Sequence, residues 1–115
     1  SQKAYLGGVI IPGVRLSVDT LSHNTAKLPI VEIVKTDQIV GRSTIESIQS
    51  GIFYGAVGAC REIIQQIKAQ LFPDKEVLVL ATGGFASLFE YQEIYDLLLP
   101  DLVLHGVRLA TTLNQ

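Results

Sequence analysis

The apolar positions near the start of the chain predict a strand, a turn and a helix. Residues 4–11 (AYLGGVII) are strand-like, and Pro12-Gly13 is a turn signal. Between residues 14 and 28 the apolar side chains recur at helical spacing. Pro29 should end that helix, because proline disfavours helical geometry in the residue before it.

The middle of the chain contains the clearest helical pattern. Residues 30–34 alternate weakly and fit either a short strand or an extended loop, and the polar residues 35–42 predict a loop. Ser43 and Glu46 then have the spacing of a capping box, which predicts a helix start at Ser43. An apolar stripe at helical spacing continues to residue 71, where a Phe-Pro-Asp sequence stops it.

The last third alternates between short strand and helix patterns. Residues 76–81 (EVLVLA) predict a strand buried on both faces, as in parallel sheets. Residues 86–99 predict a helix that Pro100 breaks, residues 102–104 a short strand, and residues 106–113 a closing helix. Strands alternating with helices indicate an α/β layer architecture. The strands are too few for a full sheet, so the chain resembles the trailing part of an α/β domain.

Composition narrows the class of protein. The chain has 115 residues, a formal net charge of -2 and 48% hydrophobic residues, which fits one globular domain and excludes a disordered chain. No basic excess is present to drive nucleic-acid binding. No apolar run approaches the roughly 20 residues that a bilayer needs, and the first residues lack a signal-peptide pattern. We therefore expect a cytoplasmic protein with neither nucleic-acid nor membrane partners.

The mean hydropathy of +0.36 is high for so small a chain. Small domains leave much of their surface exposed, so some apolar surface should remain for a partner or another domain. Cys60 is the single cysteine and is predicted to be a small, buried core residue. Neither His23 nor His105 lies in a carboxylate-rich or zinc-like pattern, so surface roles are expected for both.

Two glycine-containing segments are candidate ligand sites. Gly7, Gly8, Pro12 and Gly13 form a GGxIxPG pattern, where backbone amides at the following helix start would suit a carboxylate. An ordinary strand-to-helix turn explains the same residues. The Thr82-Gly83-Gly84 segment follows a predicted buried strand, where α/β sheets bind ligands. It could equally be only a tight turn.

Two features concern the long helix. Gly51, Gly55 and Gly58 share one face, and each glycine inside a helix costs about 0.8–1 kcal/mol relative to alanine. Close approach of another backbone would offset this cost, either within the chain or across a symmetric dimer. At the helix start, the segment Gly41-Arg42-Ser43-Thr44 could clamp a polar ligand or simply cap the helix.

Taken in order, five segments resemble the C-terminal half of the type III pantothenate kinases, also called the Bvg accessory factor family. They are YLGGVIIPG, TAKLP, GRSTIESIQSGIFYGAVG, VLATGG and PDLVLHGV, and together they cover nearly the whole chain. No single segment is specific, but five in this order are. Family members are about twice this length, so residues 1–115 resemble one domain of a larger protein.

The resemblance implies a ribonuclease-H-like, actin-like fold of the acetate and sugar kinase superfamily. It implies transfer of the ATP γ-phosphoryl group to pantothenate in coenzyme A biosynthesis, with Mg²⁺ and a monovalent cation, potassium or ammonium. Family members are homodimers. By resemblance, Thr44 contacts pantothenate, the four residues of the GGxIxPG pattern lie beside its pocket, and Thr82, Gly83 and Gly84 form the adenosine side.

The family's phosphate loop, its Gly-x-Asp-Arg motif with the catalytic aspartate, and its Asp-x-Gly-Thr-Ala motif are absent from this sequence. The carboxylates of Asp19, Asp37 and Glu46 match no catalytic position of the family. We therefore expect no catalytic residue here, no activity from this chain alone, and a need for the N-terminal half. Two alternatives remain: a non-catalytic, dimerising regulatory module of the same fold, and the C-terminal domain of another actin-fold sugar kinase.

Overall fold

Helices make up most of the computed structural model, which describes residues 3–24 and 28–114. The elements in chain order are α1 (Val14–Asn24), α2 (Thr44–Leu71), β1 (Leu80–Ala81), a 3-10 helix (Ala86–Phe89), β2 (Leu97–Leu98) and α3 (Leu102–Leu113). The mixed content agrees with the α/β class. The predicted continuation of the first helix through residues 25–27 lies outside the described residues, and Leu28 is not helical.

The start of α2 follows the predicted capping pattern with one difference. The Ser43 hydroxyl accepts the Glu46 N–H at 3.1 Å, which satisfies one of the orphan donors of the first turn. The Glu46 carboxylate accepts from the N–H of Arg42 at 2.7 Å, one residue before the position that a capping box uses. The other end is also as predicted, since the last cap bond runs from Phe72 N–H to the Lys68 carbonyl.

A small core lies between α1, the loop after it, and one face of α2. Its buried members are Val18, Val31, Ile48 and Ile52, with Val14, Leu21, Leu28 and Ile33 packed around them. Residues 30–34 form a loop and not a strand, and its Val31 and Ile33 side chains pack into the core. This core fixes α1 against α2.

Hydrogen bonds hold the loop before α2 along the helix. The Gln49 amide donates to the Glu32 carbonyl at 3.1 Å, and the Tyr54 hydroxyl donates to the Thr36 carbonyl at 2.9 Å. The hydroxyl of buried Ser50 donates to the Ile39 carbonyl. These side chains supply partners that a loop lacks in its own backbone, so the predicted loop at residues 35–42 is confirmed and is ordered by α2.

The predicted sheet is much smaller in the structure. β1 and β2 pair in parallel, with Leu80 opposite Leu97 and Ala81 opposite Leu98. The prediction of a strand over 76–81 buried on both faces is wrong, since Leu78 is 63% exposed and Leu80 is 45% exposed. A strand is buried on both faces only when layers cover it, and none covers these residues in the described chain.

The helix predicted over residues 86–99 is also wrong. Only a 3-10 helix forms at Ala86–Phe89, and Tyr91 and Glu93 have φ angles of 70° and 57°, which a right-handed helix does not allow. Two hydrogen bonds join Val79 and Asp96. The Asp96 N–H donates to the Val79 carbonyl at 2.8 Å, and the Val79 N–H donates to the Asp96 carboxylate at 2.7 Å. These long-range bonds hold the backbone extended just before β2, although the local spacing of apolar residues favours a helix.

Two predicted strands are absent. Residues 4–11 are exposed and irregular, since no described strand lies beside them to form a hydrogen-bonded ladder. Residues 102–104 belong to α3, because the His105 N–H donates to the Asp101 carbonyl at 2.9 Å and begins the helical bonding there. The closing helix predicted at residues 106–113 is therefore confirmed but begins at Leu102.

Gly41 makes the closest backbone approach to α2. A Cβ added there would overlap Ser47 N and would lie 2.6 Å from the Glu46 carbonyl carbon. Gly41→Ala should therefore lower the free energy of unfolding by roughly 1–3 kcal/mol, because the loop would have to move away from the helix. Urea unfolding of the protein measures this loss.

Gly51→Ala is the matched control, since a Cβ at Gly51 in the interior of α2 meets nothing within 4 Å. It should leave stability unchanged or raise it by up to about 1 kcal/mol, through helix propensity. Equal effects of the two substitutions would contradict the close approach at Gly41.

Candidate functional site

An open crevice of about 1400 Å³ lies between α1 and α2 and is here called the α1–α2 crevice. It contains three of the five residues that the resemblance assigns to the pantothenate side, namely Pro12, Gly13 and Thr44. Most of its wall is apolar, with a few hydroxyl groups. A mostly apolar cleft with a few converging polar groups is typical of a small-molecule site.

Two helices begin at this crevice. Gly13 precedes α1, where its carbonyl accepts the Ser17 N–H and hydroxyl, both at 3.0 Å. Thr44 is the first residue of α2 and is exposed, and Arg42 and Ser43 beside it also line the crevice. Helix N-termini carry partial positive charge and unpaired N–H groups. The Glu46 carboxylate already accepts from the Arg42 N–H at the start of α2, whereas the first turn of α1 contains no acidic residue. The start of α1 is therefore the one that suits an anionic group such as a carboxylate.

Small residues of α2 form the opposite wall. Gly51, Gly55, Ala56, Ala59 and Cys60 all line the crevice. The expectation that Cys60 is a buried core residue is wrong, since it is half-buried at this wall. A Cβ at each of the three glycines of α2 would meet nothing within 4 Å, so close packing among the described residues does not explain them.

Gly7 and Gly8 do not line the α1–α2 crevice with the other predicted residues. Neither lines the α1–α2 crevice, although Pro12 and Gly13 of the same sequence pattern do. Gly7 has a φ of 118°, a backbone conformation that residues with a side chain rarely adopt, so this position favours glycine. At Gly8 an added Cβ would come within 3.3 Å of the Tyr5 hydroxyl oxygen.

A second crevice, of about 470 Å³, lies at the carboxyl ends of β1 and β2 and is here called the strand-end crevice. All three predicted residues Thr82, Gly83 and Gly84 line it, together with Ser87, Leu98, Pro100 and Val103. Gly83 has a φ of 103°, which a residue with a side chain rarely adopts. Open α/β sheets bind ligands at the carboxyl ends of their strands. The three residues lie at that end of β1, as the sequence predicted.

The 3-10 helix links the two crevices. Ser87 lines the strand-end crevice, whereas Phe89 lines the α1–α2 crevice. The Phe89 ring stacks on buried Phe53 of α2, with centroids 6.1 Å apart. At the other end, the Tyr95 hydroxyl donates to the Ala86 carbonyl at 3.2 Å. Desolvation raises the pKa of Tyr95, with a smaller contribution from Glu90, so this hydroxyl remains a donor.

No metal cage forms from the described residues. Within residues 3–24 and 28–114, no three His, Cys, Asp or Glu side chains come together as metal ligands. His105 lies on exposed α3, and the side chain of His23 lies outside the described residues. No described helix is long and apolar enough to cross a membrane.

Sequence reasoning missed Arg15, Phe85 and Phe89. The Arg15 guanidinium carbon lies 5.6 Å from the centre of the Phe85 ring, and Phe89 stacks on α2 as described. No local pattern announces these contacts, because each joins segments far apart in sequence. Of the three residues, only Phe89 lies within the helix expected over residues 86–99, and that expectation gave the wrong element.

Concave sites of this kind, on a mixed helix–strand fold, are where α/β proteins commonly bind small molecules. The family model described as "Type III pantothenate kinase" matches residues 1–66. The type III pantothenate kinase of Legionella pneumophila strain Paris is 65% identical over 113 residues, and type III pantothenate kinase 1 of Francisella tularensis subsp. holarctica strain OSU18 is 44% identical. Each match covers 98% of this chain and 44% of the relative, so the chain spans less than half of those relatives. The chain belongs to the type III pantothenate kinase family.

Proposed function

We propose that this chain is the C-terminal part of a kinase that transfers the γ-phosphoryl group of ATP to pantothenate, in coenzyme A biosynthesis. One observation carries the proposal: Pro12, Gly13 and Thr44 line one crevice, Thr82, Gly83 and Gly84 line another, and a short helix connects the two. Phosphoryl transfer needs two ligands held in fixed relation to each other, and this arrangement provides places for both.

Pantothenate fits the α1–α2 crevice on chemical grounds. The start of α1 after Gly13 suits its carboxylate, and the Thr44 hydroxyl can donate to and accept from its amide and hydroxyl groups. The apolar walls suit its hydrocarbon part. In this proposal, Gly7 and Gly8 determine the backbone conformation before α1 and do not line the pocket.

ATP fits the strand-end crevice. Gly83 and Gly84 leave room for a base or ribose against the main chain, and Leu98, Pro100 and Val103 offer an apolar wall. Magnesium and a monovalent cation, potassium or ammonium, belong to the proposed reaction. Among the described residues, no three His, Cys, Asp or Glu side chains come together as metal ligands, so we assign the magnesium ligands and the catalytic aspartate to the rest of the protein.

The uncovered apolar surface supports a further domain. Ile10 is 98% exposed and Val103 is 72% exposed, and α3 has no buried residue at all. Exposed apolar surface on this scale calls for a covering partner. We assign that role to the N-terminal half of the protein, in an actin-like, two-domain arrangement in the cytoplasm.

The activity test compares two proteins. The full-length protein should phosphorylate pantothenate with ATP in a coupled kinase assay, and this chain alone should not, because it lacks the phosphate loop and the catalytic aspartate. Turnover by the purified chain alone would contradict the assignment of the aspartate. A full-length protein that binds pantothenate without turnover would instead support the non-catalytic regulatory module.

Thr44→Val in the full-length enzyme should raise the KM for pantothenate more than the KM for ATP. Valine keeps the shape but removes the hydrogen bond, which costs about 1–3 kcal/mol when a substrate group is left unpaired. The specificity constant for pantothenate should fall roughly 5- to 150-fold. Thr111→Val, on exposed α3, is the control. A loss of thermal stability with unchanged pantothenate kinetics would mean that Thr44 only supports the helix start.

The exposed glycine face of α2 supports a homodimer. Leucine forms helix better than glycine, and a Cβ at Gly58 meets no described residue within 4 Å. Gly58 does not line the α1–α2 crevice, so Gly58→Leu should disturb only a contact with another copy. Sedimentation of the full-length protein should then shift toward monomer. Gln65→Leu, also exposed on α2, should leave sedimentation unchanged. Equal behaviour of the two variants would remove this face from the interface.

A further inference from the structure

The contact between Arg15 and Phe85 joins the two crevices at a second place. Arg15 lies in the first turn of α1, two residues after Gly13 of the α1–α2 crevice. Phe85 directly follows Gly84 of the strand-end crevice. The guanidinium carbon stands 5.6 Å from the ring centre, within the range of a cation–π contact. A residue beside one ligand site therefore holds a residue beside the other.

The segment that Arg15 contacts is short and internally bonded. The Ala86 N–H donates to the Gly83 carbonyl at 3.3 Å, and the Leu88 N–H donates to the Phe85 carbonyl at 3.1 Å. Ala86 is buried. A movement of Phe85 is thus transmitted to the backbone at Gly83, which lines the strand-end crevice.

The far end of the same segment is fixed independently. Phe89 lines the α1–α2 crevice and stacks on Phe53 at 6.1 Å, with the rings 17° from parallel. The segment from Phe85 to Phe89 is therefore held at one end by α1 and at the other by α2. Since α1 and α2 form the two sides of the acceptor crevice, the segment sets the distance between the two ligands.

Resting on the proposed function, we propose that Arg15 is a positioning residue, which holds the strand-end crevice in register with the α1–α2 crevice through the Phe85 ring. Arg15 does not line either crevice and needs no contact with substrate. Phosphoryl transfer depends on the alignment of donor and acceptor, and small displacements reduce its rate. Loss of the contact should consequently lower kcat and leave the binding of each separate ligand nearly intact.

The test is steady-state kinetics of the full-length enzyme carrying Arg15→Gln, Phe85→Leu, or both. Each single variant should lower kcat roughly two- to fivefold, the range of an exposed cation–π contact, with little change in either KM. The double variant should be no slower than the single variants, because both remove one contact. Arg15→Lys and Phe85→Tyr should recover most of the rate, since each keeps one cation and one ring.

Lys68→Gln, in the last turn of α2 and outside both crevices, is the matched control for the loss of an exposed cation, and its kcat should not change. Thermal unfolding of every variant separates positioning from folding: a purely structural role would lower the melting temperature and leave the kcat of the folded enzyme unchanged. That result, or additive effects in the double variant, would overturn the positioning role. A wild-type protein that does not phosphorylate pantothenate would overturn the proposed function, and this inference with it.

Discussion

The packing of α1 and the following loop on one face of α2 is the interaction on which the other features depend. Val18 contributes from α1, Val31 from the loop, and Ile48 and Ile52 from α2. Because this core draws α1 against α2 near its beginning, Pro12, Gly13 and Thr44 come to a common crevice. A core of so few side chains gives modest stability, which makes the side-chain bonds from α2 to the loop backbone correspondingly important.

The sequence predicted α2 well because every local signal agreed there. The Ser43 cap, the long apolar period and the stop after residue 71 are all properties of neighbouring residues. Residues 86–99 carry a similar period, yet the bonds between Val79 and Asp96 and the positive φ angles of Tyr91 and Glu93 prevent a helix. Those bonds join distant segments, and a local period contains no information about them.

The candidate site likewise contains residues that local sequence signals predict and residues that only long-range contacts place there. Thr82-Gly83-Gly84 could be found because strand ends and glycine turns have local signatures, and Thr44 because its segment resembles a known family. Phe89 lines a crevice only because its ring meets Phe53, some 36 positions earlier in the sequence. The absence of Gly7 and Gly8 from the crevice has the converse cause: their segment has no described neighbour to fold against.

The uncovered face of α3 has a practical consequence for handling this chain. A helix with aliphatic side chains on its surface and no buried residue presents the kind of patch that associates with other exposed apolar surfaces. Excluded salts such as sulfate strengthen that association, whereas low concentrations of urea weaken it. Production of this chain by itself should therefore give aggregates that form more readily in ammonium sulfate and less readily in dilute urea.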